Sequence, residues 1–145
     1  LRNQDGEFFS RVLVHAASVA FSDNAWSYYR ASGPGSISAR AHPAALRSLY
    51  EATERCERTL LSHRDTPEAR AACASLWQHY LFAAYPLLPD LVRRAEQRVE
   101  ALGGSTLQPG VIRPLRIVRD VVGWKAALRL QRAYLHLRAP KPQTS

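Results

Sequence analysis

Methionine is absent from the 145 residues, and cysteine appears twice, at Cys56 and Cys73. The missing initiator suits a piece of a longer protein, and processing or trimming would leave the same mark. Two lone cysteines could pair only if their helices pack at the right point. Both sit on apolar positions of helix-like stretches, so they read as buried thiols in a reducing compartment. Neither belongs to a CxxC or has a histidine at ligand spacing, so no metal site is expected. The histidines, at 15, 42, 63, 79 and 136, are scattered, and no i, i+4 pair stands with an acid as zinc chemistry requires. No apolar run reaches the roughly 18–20 residues that span a bilayer. The opening Leu1-Arg2-Asn3-Gln4-Asp5 does not read as a signal peptide. No Walker loop, GxGxxG, GxSxG or internal repeat is present.

Acid is scarce relative to base. There are 12 Asp and Glu against 20 Lys and Arg, nearly all arginine, for a net charge of +8. This balance suits an anionic partner: nucleic acid, a phosphate-bearing ligand or an anionic membrane surface. What is plentiful is apolar surface. At 46% hydrophobic residues, the chain can build the core of one ordinary domain and is not a disordered tail.

Phe8, Phe9, Val12, Leu13 and Ala16 give residues 5–18 a helical apolar face, with Asn3 or Asp5 as cap. Val19-Ala20-Phe21 and Trp26 to Arg30 read as two short strands around the turn residues Ser22-Asp23-Asn24. Trp26 and Tyr28 share one strand face and Tyr29 takes the other, one face packing in the core. A loop with Gly33, Gly35, Ser36 and Ser38 follows.

From Pro43 onward the pattern is helical. Leu46, Leu49, Tyr50, Thr53, Cys56 and Leu60 mark a helix over 43–62. Thr66-Pro67 is a cap followed by proline at the first helical position. That helix is expected to bury Ala69, Ala72, Cys73, Leu76, Trp77 and Tyr80. Pro86 and Pro89 end it, and a helix over 89–102 stops at Gly103-Gly104. Residues 105–110 read as a linker, Pro114 opens a short helical piece ending near Gly123, and a last helix runs from Trp124 to Arg138. On it Lys125, Arg129, Arg132 and His136 form a basic stripe with apolar flanks. Such a stripe is either a solvated face or a helix lying on an anionic membrane; Arg113, Arg116 and Arg119 extend it.

Asp5-Gly6-Glu7-Phe8-Phe9-Ser10-Arg11, the strand pair, and Tyr28-Tyr29-Arg30 followed by Gly35-Ser36-Ile37-Ser38 together resemble the C-terminal part of family 2 glycosyltransferase catalytic domains. These are of the GT-A type, common in bacterial polysaccharide synthesis. Leu81-Phe82-Ala83, Tyr85-Pro86, Ala101 to Gly104 and Gly123 to Ala127 resemble the helical extension of such enzymes.

The resemblance implies an inverting transfer of a sugar from a nucleotide-sugar donor to a polysaccharide, lipid-linked or other glycan acceptor. Asp5 matches the catalytic base, which accepts the acceptor hydroxyl's proton; as a residue it reads equally as a helix cap. Glu7 and Arg11 either reach the substrate or pair with each other at i, i+4. Arg30 is placed to neutralise the diphosphate, with Ser36 and Ser38 donating to phosphate or acceptor. Family enzymes hold a divalent ion, Mg or Mn, through a DxD motif in a preceding nucleotide-binding half. The aspartates here stand at 5, 23, 65, 90 and 120, so no DxD exists. Ala31-Ser32 replace the basic residue or histidine that many relatives carry after the arginine. The metal's ligands therefore fall mostly outside this chain, which alone is expected to be inactive.

The expected fold is mainly α. Residues 1–40 form the end of a GT-A catalytic domain, a helix plus a short β-strand pair; 41–138 are a helical extension; 139–145 are a disordered tail. The expected location is cytoplasmic, or peripheral on the inner face of the cytoplasmic membrane through residues 113–138. The competing reading is a non-enzymatic basic helical module that binds an anionic membrane surface or nucleic acid. Nucleic acid is the less favoured of these, because the aromatics are not interleaved with the basic stripe.

Overall fold

The computed structural model describes residues 4–28 and 42–138, apart from the side chains of Gln4, His136 and Arg138. Among them are six α-helices: α1 (Gln4–Leu13), α2 (Pro43–His63), α3 (Pro67–Ala84), α4 (Pro89–Ala101), α5 (Arg116–Val122) and α6 (Trp124–Arg138), with a 3-10 turn at Arg113–Leu115. The chain divides into two compact units between Ser105 and Thr106, inside the glycine-led linker. The tail 139–145 lies outside the described residues.

In the first unit α1 packs on α2, α2 on α3 and α3 on α4. Each long helix starts where local chemistry says it should. Proline occupies the first helical position of α2, α3 and α4, where its missing N–H costs nothing. The Thr66 hydroxyl accepts the Ala69 N–H at 3.3 Å, and His42 Nδ1 accepts that of Ala44 at 3.3 Å. These side chains satisfy donors that the first turn leaves unpaired. At the end of α4, Gly103 and Gly104 take φ of 97° and 85°. The Gly104 N–H then donates to the Val99 carbonyl at 2.8 Å, closing a helix end that L side chains would strain.

The core lies between α2, α3 and α4. Leu46, Thr53, Cys56, Cys73, Trp77, Tyr80, Leu81, Ala84, Val92, Ala95 and Val99 are buried there. In the second unit α5 and α6 pack together. Gln131 Oε1 accepts the Ile112 N–H at 2.8 Å, and Arg119 Nη1 donates to the Pro109 carbonyl at 3.4 Å. These bonds tie the connecting segment to its own helices.

The expected strand pair is corrected. Residues 16–28 are irregular, and no strand occurs among the described residues; the far end of the second strand, Tyr29 and Arg30, lies outside them. Strand preference is a preference for a half-buried pleated surface. Here Phe21 is 94%, Trp26 83% and Tyr28 94% exposed, with no layer to pack against. Of the two strand faces of which one was expected in the core, the one through Trp26 and Tyr28 is exposed, and Tyr29 lies outside the described residues. The first helix is also shorter than the expected 5–18, ending at Leu13 before a turn.

Candidate functional site

On α1, two faces separate by helical spacing. Gly6, Ser10 and Leu13, at i, i+4 and i+7, line a groove of about 880 Å³ shared with α2 and α3. Asp5, Phe8, Phe9 and Val12, at i, i+3, i+4 and i+7, fall on the adjoining face. All four are exposed, Phe8 and Phe9 by about half. Asp5 thus stands in the first turn, beside an uncovered apolar surface that continues along the chain through Val19, Phe21, Trp26 and Tyr28. A carboxylate there suits the helix dipole.

Glu7 and Arg11 pair with each other, Arg11 Nε to Glu7 Oε1 at 2.9 Å. The Ser10 hydroxyl donates to the Glu7 carbonyl at 2.7 Å. Of the sequence-predicted site residues, the structure brings together Glu7 and Arg11 and sets Asp5 on the same helix. Arg30, Ser36 and Ser38 lie outside the described residues.

The groove is mostly apolar. Leu13, Val14 and Ala16 face Leu60, Ala69, Ala72 and Leu76, with Cys56 and Cys73 among its walls and His63, Arg64 and Glu68 among its polar lining. Ala69 and Leu76 are half-buried and Ala72 is exposed, so three residues expected in the core line this opening instead. Both cysteines are free and buried. Burial, with a smaller push from Glu57, lifts the Cys73 thiol to about 11. It is a neutral thiol at physiological pH, not a nucleophile. Glu68 is held below the usual carboxylate range by hydrogen bonds from its own backbone N–H and from Thr66.

A second polar centre went unread in the sequence. Glu57, only 5% exposed, accepts the Trp77 indole N–H at 2.6 Å and is ion-paired with Arg98 of α4. The Arg98 guanidinium is held above its usual value, chiefly by this bond. Tyr50, Trp77 and Tyr80 pack edge-to-face at 4.9, 5.4 and 5.9 Å between ring centres. Burial raises Tyr50, with Glu54 adding to it, and pushes Tyr80 up to about 12. Glu57 follows Leu46, Tyr50 and Thr53 at i+11, i+7 and i+4, which puts a carboxylate on the apolar stripe. That spacing was the signal of a buried acid, since such an acid needs partners. Tyr50, Glu54, Glu57, Arg58, Trp77 and Arg98 surround a cavity of about 320 Å³. The network clamps three helices together and offers no unsatisfied carboxylate for chemistry.

Among the described residues no three His, Cys, Asp or Glu side chains gather as a metal site. They do not furnish a donor set for the divalent ion that the resemblance implies. No described helix is long and apolar enough to cross a membrane. No family model matches the chain, and neither curated proteins nor solved structures give a match.

Proposed function

We propose that this chain is the C-terminal part of a family 2, GT-A type glycosyltransferase, with α1 forming the acceptor-side edge of its active site. The observation that carries this reading is the outer face of α1. Asp5 sits there with Phe8, Phe9 and Val12, on a helix whose adjoining face lines the groove against α2 and α3. A catalytic base needs a carboxylate that is fixed in position and open to a substrate. The apolar surface around Asp5 and on to Tyr28 is what a further folded half would cover. In this reading Asp5 takes the proton from the acceptor hydroxyl as its oxygen attacks the donor sugar. The Glu7–Arg11 pair stiffens the helix beside it. Arg30, Ser36 and Ser38 serve the diphosphate or acceptor side. A divalent ion, held by the preceding half, supplies charge neutralisation of the diphosphate.

The test is titration calorimetry with a set of nucleotide-sugars, on residues 1–145 and on the longer polypeptide that carries a preceding nucleotide-binding half. Heat of binding is expected only from the longer protein. Donor binding by residues 1–145 alone would remove the acceptor-side assignment. Absence of such a half upstream of Leu1 would end the transferase reading.

A further inference from the structure

We infer that residues 106–138 form a docking surface for an anionic lipid bilayer. Charge is segregated along the chain. Residues 106–145 hold eight of the 20 Lys and Arg and one of the 12 acids, Asp120, so they carry +7 of the net +8. Residues 1–105 are left with +1. Even Asp120 is engaged, accepting from Arg119 Nε at 2.8 Å, which holds its carboxyl below the usual range.

The same unit exposes aliphatic side chains between these cations. Ile117 and Val121, one turn apart on α5, are 72% and 79% exposed. On α6, Leu130 and Leu137 stand at i, i+7, and Leu137 is 87% exposed. Going round α6 by helical spacing, Lys125 and Arg129 come first, then Ala126 and Ala133, then Leu130 and Leu137. Ala127 and Leu128 lie on the buried side. Trp124 begins the helix, with the Lys125 ammonium 5.7 Å from its ring centre.

A merely solvated basic helix has no use for aliphatics at these positions. A bilayer uses both kinds of residue. Cations gain from anionic headgroups, and short aliphatics gain from the headgroup–acyl boundary. Arginine stems lie along that boundary while their heads stay in water. A nucleic acid would gain from the charge alone, because isoleucine, valine and leucine neither stack on bases nor read their edges. The inference stands whether or not the proposed function holds.

Vesicle flotation of the full 145-residue chain tests it, with phosphatidylcholine vesicles with and without phosphatidylglycerol. The chain is expected to float with the anionic vesicles at low ionic strength and to be released as salt rises. Arg116→Gln and Arg129→Gln should each weaken partitioning about five-fold. The double variant Ile117→Asp, Leu137→Asp should stop flotation while its circular dichroism stays that of the parent, since both positions are exposed. Arg55→Gln, on exposed α2 surface, should change nothing. Equal recovery with neutral and anionic vesicles would overturn the inference. So would flotation of the Ile117, Leu137 variant at the parent's level, or full displacement from vesicles by a stoichiometric oligonucleotide.

Discussion

The bundle of α2, α3 and α4 and the arm made of α1 with residues 14–28 draw on the same apolar and aromatic residues and use them in opposite ways. In the bundle, Trp77 and Tyr80 are buried to 1% exposure, and the single buried acid, Glu57, has its partners. In the arm, Phe8, Phe9, Val12, Phe21, Trp26 and Tyr28 are exposed. Burial of apolar area is the main driving force of folding. The bundle therefore carries the stability of the first unit, and the arm holds surface that its own unit leaves uncovered. A large exposed apolar patch marks a place where something else binds. On α1 it includes Phe8, Phe9 and Val12, which share their side of the helix with Asp5.

The largest effect should come from the middle of the bundle. Trp77→Ala removes a ring packed on Tyr50 and Tyr80 and leaves Glu57 without its indole donor. A loss of about 3–5 kcal/mol is expected by urea unfolding. Glu57→Ala should cost about 3 kcal/mol, because it strands the indole N–H and an arginine that is itself half-exposed. Adding Arg98→Ala should then cost far less than it does in the parent, and a double-mutant cycle measures that coupling.

Alkaline pH gives a smaller effect with a defined sign. Below pH 9 the Cys73 thiol is neutral whether the chain is folded or not. Between its ordinary value of 9.0 and about 11, the unfolded chain loses a proton that the folded chain keeps. Stability therefore falls as pH rises through this window, by about 2 kcal/mol. Cys73→Ala should flatten the urea midpoint against pH between 9 and 10, below the range where the raised Tyr50 and Tyr80 add the same slope. The smallest effect belongs to the arm. Phe21→Ser and Trp26→Ser should shift stability by less than about 0.5 kcal/mol. A loss comparable to that of Trp77→Ala would erase the distinction between the two regions.

The helices were legible in the sequence because their ends are written in residues with few other uses. Thr66-Pro67, Pro43, Pro89 and Gly103-Gly104 each mark a boundary that the structure has within a residue. The strand pair was not legible as irregular chain. Val19 to Phe21 and Trp26 to Tyr28 have strand composition, but a strand needs a partner and a covered face, and composition supplies neither. The opening along Ala69, Ala72 and Leu76 was hidden for a similar reason: periodicity gives the apolar side of a helix, not what stands opposite it. On the site, helical spacing alone placed Glu7 with Arg11.

The most direct measurement is sugar transfer by the proposed full-length transferase, compared between parent and Asp5→Asn. Loss of the base should lower kcat by about 10²–10⁴-fold. Donor affinity should be unchanged, as should the unfolding midpoint, because Asp5 is exposed on α1 and outside the bundle. Turnover by Asp5→Asn at the parent's rate would contradict the account.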